Sequence, residues 1–421
     1  LGTLLSLLVP AQATRSPDCG GILTPSGLSY RKYGARSSHT MVLRQSLMAP
    51  RAPDLLLASP KPSRDQISSI KVINLSLSLL PEAGLRLGIE ADLGIGPPAA
   101  VPRLARLSLL ADLHVDLSPD GDLQLVSSAC RPTVEEMHST EEVESKSSSS
   151  DLDKEINVDK ICLELSKLLL SPNKQLMSLT AQFPIAPSCQ VQYLPLAVPV
   201  FSKEGITVSL QTTFHVAGMA VPLPVSPVPL SMPEAASSSP SHLTLALSEH
   251  FYTSLFFALE RAGAFNMTIL SPLTTAAVAQ KITQVGSLYP EDLPVMLRAV
   301  LRSSPWVELE EGRAALKLFL TVHVGAGSRD FQSFLSMSAV SERRGTGPLQ
   351  LLPSTAAAGT VPRGIADLRL SPLQAALLEE LFLAPIREEV PVWMNAVLSE
   401  GVHLPHASSF TYTDVSVMIH K

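Results

Sequence analysis

The sequence lacks any uninterrupted apolar run of the roughly 18 residues that a membrane-spanning helix needs, although hydrophobic residues make up 45% of its 421 residues. Its apolar residues are spread over short stretches, which is typical of strands. Aromatic residues amount to only 5%, and the formal net charge is −6. Because a nucleic-acid surface needs basic grooves and aromatic stacking platforms, this composition argues against one.

Catalytic signatures are also missing. The chain contains no GxSxG elbow, HExxH pair, P-loop or GxGxxG loop. His114 and Asp116 stand two positions apart on a predicted strand, but no third metal ligand accompanies them. We therefore predict a non-enzymatic protein with no catalytic, metal or cofactor residues.

Prolines, in contrast, are abundant, with 35 in the chain. They favour edge strands, kinked helices and proline-rich connections over a helical bundle. A chain of 421 residues also exceeds the size of one ordinary hydrophobic core, so two domains are expected.

Residues 1–13 have the pattern of a signal peptide that is missing its front. A short apolar core at residues 4–9 is followed by Pro10 and by Ala11-Gln12-Ala13, an A-x-A cleavage pattern. The alternative is a buried N-terminal strand. We expect a mature chain that begins near Thr14 and is secreted to an extracellular fluid.

The first half of the chain predicts an antiparallel meander followed by a long helix. Alternating apolar residues over 67–129 indicate strands, with a turn at Pro119-Asp120-Gly121, and a helix is expected from Thr24-Pro25 to residue 47. The Ser- and Glu-rich residues 131–153 predict a solvated loop. A helix bent at Pro172 is then expected, with this apolar side: Ile161, Leu165, Leu168, Leu169, Leu176, Leu179 and Phe183.

In residues 243–269 the spacing of apolar residues changes clearly, from the two-residue period of a strand to the three- and four-residue steps of a helix. Leu243, Leu245 and Leu247 alternate as in a strand, and Ser248 can cap a helix that Gly263 ends. After Gly263 the chain is expected to be extended again. Residues 184–233, where prolines crowd among apolar residues, predict strands of a sheet shared between the two halves.

The second half repeats this plan. Extended segments are expected from residue 265 through 295–301, 314–324 and 331–340. Ser371-Pro372 is expected to begin a second long helix that contains Pro385 and Pro391 and ends at Gly401. The chain is then expected to close with a strand over residues 410–419.

This organisation resembles the family of bactericidal/permeability-increasing protein, the BPI family, across the whole mature chain. The resemblance is strongest over residues 243–269 and 371–421, which include the GVHLP step, and the opening PDCGGILTP is similar to that of an avian egg-white member of the long PLUNC group. Residues 30–39 and 343–364 depart from the family pattern. The resemblance implies an α+β, elongated, two-lobed boomerang in which each lobe is a curved antiparallel sheet wrapped on a long helix, with a central sheet between the lobes.

The implied domains are an N-terminal lobe over residues 14–190, a connecting and central-sheet segment over 191–242, and a C-terminal lobe over 243–421. The family has a disulfide that joins a strand end to the long helix of the N-terminal lobe, and Cys130 and Cys162 are the matching positions. Cys19 and Cys189 have no counterpart in the family. Whether they pair with each other is left open, and a metal site at them is not expected.

Lipid-binding members of the family hold acyl chains in an apolar slot between helix and sheet. The positions that the resemblance implies for such slots here are Leu168, Leu169, Leu176, Leu255, Leu259 and Leu381. Each of these leucines also suits an ordinary core. The implied partner is a phospholipid or similar lipid. Acids and bases roughly balance over residues 14–190, so strong binding to bacterial surface lipid is not expected.

The predicted function is that of a secreted lipid-binding protein with an innate-defence, antibacterial role. The alternative is a structural or protein-binding component of a secretion such as egg white, with the same fold and closed pockets. Asn74-Leu75-Ser76 and Asn266-Met267-Thr268 are glycosylation sequons in a secreted chain.

Overall fold

The computed structural model describes residues 16–28, 66–96, 103–136, 162, 169–222, 228, 230, 241–327, 331–344, 350–352, 372–405 and 412–420. These residues form antiparallel sheets that helices cover, which confirms the predicted α+β class. We call the sheets the N-terminal, central and C-terminal sheets.

The N-terminal sheet is a meander in which each strand pairs with the next along the chain. Its strands are β2 (Gln66–Leu80), β3 (Gly84–Gly96), β4 (Arg103–Leu117) and β5 (Leu123–Glu136). The predicted turn at residues 119–121 joins β4 to β5, and Gly121 adopts a positive φ of 90° there. Bulges in β2, at residues 67–69 and 72–74, curve this edge of the sheet.

The central sheet joins the two halves of the chain, as the proline-rich region predicted. Its path runs β11-β1-β9-β7-β6, and the short strands β8 and β10 also pair with β9. The strands are β1 (Cys19–Leu23), β6 (Gln182–Ala186), β7 (Cys189–Pro195), β8 (Val200–Phe201), β9 (Ile206–Val216), β10 (Met219–Ala220) and β11 (Leu243–Leu247). Segments from the predicted N-terminal lobe, connection and C-terminal lobe thus share this sheet.

The C-terminal sheet is a second meander, with strand order β12-β13-β14-β15-β16. Its strands are β12 (Met267–Thr274), β13 (Pro294–Glu310), β14 (Arg313–Ala326), β15 (Gln332–Arg344) and β16 (Gln350–Leu352). β15 and β16 therefore carry regular sheet into residues 343–364, where the sequence departed from the family pattern.

Helices pack on these sheets. A helix begins at Pro25, where the Oγ1 of Thr24 accepts a hydrogen bond from the Gly27 amide at 3.2 Å. The remaining helices are α1 (Leu170–Met177), α2 (Glu249–Arg261), α3 (Thr275–Ala279), α4 (Thr283–Leu288) and α5 (Pro372–Ser399). The strand, helix, strand order predicted for residues 243–269 is confirmed, with Ser248 capping α2 and Gly263 following it at a φ of 73°.

The hydrophobic core of the described residues consists of one large cluster and two smaller ones. A large cluster joins the central sheet, α2, the C-terminal sheet and α5. Smaller clusters cover one face of the N-terminal sheet, and one of them reaches Leu23, Phe201 and Ile206 of the central sheet. The central sheet therefore contacts both other sheets.

Two expectations for the first half of the chain are wrong, and a third lies partly outside the described residues. The loop predicted from Arg131 is strand as far as Glu136, so Cys130 does not end β5. Phe183, expected on the long helix, lies in β6 because a 3₁₀ turn at Ser178–Thr180 ends the helix first. Pro172 lies in the first turn of α1, where no amide donor is required, and residues 163–168, which the expected bend also involves, lie outside the described residues.

Two expectations for the second half are also wrong. The helices α3 and α4 interrupt the segment predicted as extended between residues 265 and 295. Residues 412–420 form no strand, and all of them are exposed except Ile419, which is half-buried. The predicted signal peptide, residues 30–39, most of the loop over 131–153 and Ser371 lie outside the described residues.

Candidate functional site

The inner face of the N-terminal sheet is an apolar surface built by strand alternation. Odd-numbered residues of β3 and β4 point to this face, and the register sets Ala91 opposite Leu107 and Leu93 opposite Ala105. All of these side chains are buried. Small residues thus stand opposite large ones on this face.

This apolar face stays partly open along the edge strand β2. Val72, Leu75, Leu77 and Leu79 pack beside the buried clusters but are only half-buried themselves. The described part of the N-terminal half therefore presents accessible apolar surface on the same side as its buried core.

Helical residues contact this sheet at two points. The predicted disulfide between Cys130 and Cys162 is present and joins β5 to a helical residue. Leu169 is buried in the cluster with Leu28, Leu85, Ala111 and Leu113, whereas Leu176 is half-buried. Leu168 lies outside the described residues.

The outer face of the N-terminal sheet carries balanced charge. The register aligns Lys71, Asp92, Arg106 and Glu135 across the four strands in alternating sign. Arg106 pairs with Asp92 at 3.0 Å, and Arg86 pairs with Asp112 at 2.7 Å. The Arg86 guanidinium also lowers the pKa of the Asp112 carboxyl. This face therefore offers no excess of cations to an anionic lipid headgroup.

The inner face of the C-terminal sheet is covered more tightly. Every fourth residue of α5 from Leu378 to Met394 is at most 2% exposed, and the Phe382 ring lies 6.3 Å from that of Phe334 on β15. Of the predicted lipid-contacting leucines, Leu255 and Leu259 are buried in this cluster and Leu381 packs on its margin. These residues are core in this structure, because helix and sheet side chains contact each other directly.

A buried carboxylate lies at the junction of β1, β9 and α2. Asp18 is 1% exposed, and its carboxylate accepts hydrogen bonds from the backbone N–H of Thr212 at 2.8 Å and from the Thr212 hydroxyl. His250 Nδ1 lies 3.6 Å from the Asp18 carboxylate and 3.4 Å from the Ser254 hydroxyl. Both contacts involve the same ring nitrogen, whereas a catalytic triad uses the two opposite nitrogens.

A cleft of about 450 Å³ with both polar and apolar lining lies between α3, α4 and the segment that leads to β13. Its lining includes Thr275, Gln280, Tyr289, Glu291 and Asp292. Asp292 accepts a hydrogen bond from the Ala276 amide at 2.9 Å, which lowers the pKa of the Asp292 carboxyl. The polar groups of the cleft therefore take part in the local hydrogen bonding at the start of α3.

Two further expectations concern metals and membranes. Within the described residues, no group of three or more His, Cys, Asp or Glu side chains is placed to hold a metal ion. His114 instead contacts Asp116, with Nε2 and Oδ2 3.3 Å apart. None of the described helices is both long and apolar enough to span a bilayer.

Cys19 and Cys189 are buried free thiols. They lie opposite Leu210 and Val216 of β9, respectively, which are about 20 Å apart along the strand. The pairing that the sequence left open is therefore not formed. Burial raises the pKa of the Cys189 thiol to about 11, and burial together with the Asp18 carboxylate raises that of Cys19.

Sequence reasoning missed Asp18 and Asn173. Asp18 has no periodic signal, and only its place directly before the Cys-Gly-Gly strand marks it. Asn173 follows Pro172, and the sequence pattern predicts only that it is part of a helix. Its side chain forms hydrogen bonds with the backbone of β5.

Comparison with protein-family models matches residues 185–336 to the C-terminal domain of the LBP / BPI / CETP family. Over its whole length the chain is 63% identical to Protein TENP of Gallus gallus, with 96% of that protein covered. It is 25% identical to BPI fold-containing family B member 2 of Homo sapiens, again over the whole chain and 96% of the relative.

Among solved structures, a crystal structure of lipopolysaccharide binding protein aligns with 93% of this chain and 94% of that chain. The sequence identity is 18% and the TM-score is 0.46.

Proposed function

Because this chain belongs to the LBP/BPI/CETP family of lipid-binding proteins, we propose that it is a secreted, non-enzymatic protein that holds the acyl chain of a phospholipid or similar amphipathic lipid. The observation that carries this proposal is the partly open apolar face along Val72, Leu75, Leu77 and Leu79. The proposed seat is therefore the inner face of the N-terminal sheet.

The energetics of such a seat are favourable. Burying one CH₂ group of an acyl chain contributes about 0.8 kcal/mol, so a partly buried chain gives micromolar affinity or better. Alternation along β2 keeps polar side chains on the opposite face, so the acyl chain meets only apolar groups.

The proposed seat differs from four of the leucines implied by the family resemblance. Leu255, Leu259 and Leu381 are core or core-margin residues, and Leu169 is buried at 7% exposure. Leu176, which is half-buried on α1, stays among the proposed contacts.

Lipid capture in a defence secretion such as egg white is the biological setting that we propose. The balanced charges of the outer face favour a neutral or zwitterionic lipid over strongly anionic bacterial lipid. An antibacterial effect would then come from removing lipid and not from the binding of cationic residues to an anionic bacterial membrane.

A second candidate function is supported by the C-terminal half. The α5 residues at 0–2% exposure indicate that this half is packed shut, as in a structural or protein-binding component of a secretion. If the apolar face of the N-terminal half is covered as well, the whole chain acts as a structural or protein-binding component.

Native mass spectrometry of the secreted protein, followed by organic extraction and lipid analysis, tests the proposal. One phospholipid-sized adduct per chain is expected. A clean apo mass that stays unchanged after incubation with phosphatidylcholine vesicles would overturn lipid binding and leave the second function.

A further inference from the structure

The sequons fall on corresponding strands of the two outer sheets. Asn74 lies within β2, and Asn266 directly precedes β12. β2 is the first strand of the N-terminal sheet and β12 is the first strand of the C-terminal sheet, and in the described part of the chain each pairs with one neighbour only. Within the described residues, both sequons therefore mark a sheet edge that has a single partner strand.

Free edges are a hazard because their unpaired backbone groups can recruit another chain. Proteins protect edges with charged residues, prolines, bulges or a covering segment. The other two edges here have such protection. On β5, Asn173 binds the backbone of Leu125, and β16 is only 3 residues long.

The β2 edge has two bulges but little protection by charge or proline. Its 15 residues include a single charged side chain, Lys71, and no proline. The bulge at residues 72–74 turns Ile73 outward, where it is 47% exposed. An apolar side chain thus lies at the middle of a long edge that could pair with another copy.

The β12 edge is similar. It carries no charged residue, and Leu270 is 71% exposed. Pro272 and the register irregularity between Leu270 and Thr274 protect only the far end of the strand. Neither edge strand relies on charge to prevent pairing.

The sequon side chains face solvent. Asn266 and Thr268 are exposed, and Asn266 lies in the turn after α2, where its N–H bonds to the Gly263 carbonyl at 3.0 Å. Asn74 lies opposite Glu90 on the outer face, and Ser76 Oγ reaches the Gly88 carbonyl on that face at 3.4 Å. A glycan at either asparagine therefore projects away from the core.

We propose that Asn74 and Asn266 carry N-linked glycans that keep the β2 and β12 edges from pairing with other copies of this chain. This inference rests on the proposed secretion. Each asparagine Nδ2 forms a bond to the anomeric carbon of an oligosaccharide delivered on a lipid-linked diphosphate. The bond from that carbon to the diphosphate oxygen breaks, the diphosphate leaves with the electron pair, and the amide loses one proton.

Peptide mass spectrometry of the full chain secreted from eukaryotic cells tests the modification. Both asparagines are expected to carry glycans, and Ser76→Ala and Thr268→Ala should abolish them singly while keeping each asparagine. The Cys130–Cys162 disulfide, read from the same digest, reports passage through an oxidising compartment. Disulfide-bonded but unglycosylated protein overturns this inference alone, whereas failure of secretion overturns the proposed function as well.

Sedimentation velocity tests the role of the glycans. Trimming folded high-mannose protein with endoglycosidase H, which leaves one sugar, avoids any failure to fold. Trimmed protein and the S76A/T268A variant are expected to self-associate at least about tenfold more tightly than the glycoprotein. Adding Ile73→Lys and Leu270→Lys to that variant should restore the monomer, because lysine protects an edge. Unchanged self-association after complete deglycosylation would overturn the proposed role.

Discussion

The side-chain amide of Asn173 forms two hydrogen bonds with the backbone of Leu125. Asn173 Oδ1 accepts a hydrogen bond from the Leu125 N–H at 2.8 Å, and Asn173 Nδ2 donates to the Leu125 carbonyl at 3.1 Å. The amide thereby takes the place of a neighbouring strand at the β5 edge and attaches α1 to the N-terminal sheet.

Replacing Asn173 with alanine should therefore lower stability by about 1–3 kcal/mol, because two partly buried backbone groups lose their partners. Asn173→Asp keeps the acceptor and loses the donor, so an intermediate loss is expected. Urea denaturation measures both. Equal stability of N173A and the wild type would show that water replaces the amide without cost.

Filling the proposed lipid seat should prevent lipid binding. Leu77→Trp adds volume to the inner face of β2 and is expected to reduce the phospholipid recovered with the secreted protein about tenfold or more. Leu381→Trp on α5 is the matched control, and it should leave bound lipid unchanged. Loss of lipid in L381W but not in L77W would place the seat in the C-terminal half.

Removing the buried carboxylate of Asp18 should loosen β1. Asp18→Ala leaves the amide and hydroxyl of Thr212 without their acceptor, and a loss of about 1.5–3 kcal/mol is expected. Hydrogen exchange should rise first in Cys19–Leu23. Asp116→Ala, which breaks only a pair on the exposed surface, should change stability by no more than about 0.5 kcal/mol. Unchanged exchange in β1 of D18A would rule out the anchoring role.

The free thiols should resist alkylation. With a pKa of about 11, Cys189 is thiolate to about one part in a thousand at pH 8, and its labelling by iodoacetamide should rise about tenfold per pH unit up to pH 11. Denaturant should remove this protection of Cys189 and Cys19. Rapid labelling of Cys189 in the folded protein at pH 8 would contradict its burial.

The same pKa shift affects stability at high pH. The unfolded thiol ionises near its ordinary value of 9.0, whereas the folded thiol ionises near 11, so deprotonation favours the unfolded chain. Its stabilising contribution is complete below pH 9 and is lost as the pH rises to 11. Cys189→Ala should show a shallower loss over that interval, measured by urea midpoints. An identical pH profile for C189A would assign the loss to other groups.

Local signals in the sequence predicted much of this fold. The period change across residues 243–269, the cap at Ser248 and the stop at Gly263 depend on neighbours in the chain, and the structure has each of them. The disulfide followed from the family resemblance, because spacing alone does not select a pairing.

The strand that is absent and the location of the lipid site both depend on distant partners. Whether residues 412–419 form a strand depends on finding an edge to pair with, and alternation alone does not supply one. The leucines at 255, 259 and 381 had the apolar character of a slot, but whether they line a slot or a core depends on how closely α2 and α5 approach the sheets. Sequence patterns do not determine that distance. They therefore did not indicate the apolar face along β2.

The position of β1 in the central sheet means that it cannot pair fully until much later parts of the chain have been synthesised. β1 lies between β9 and β11, and Thr24 at its end bonds to Ser241 across a separation of 217 residues. The ribosome adds on the order of 5–20 residues per second, so the first strand to emerge waits roughly ten seconds or more for its last neighbour. During that wait the apolar β1 segment is a natural client for chaperones. Nascent chains truncated before residue 243 should therefore stay chaperone-bound, with β1 open to protease.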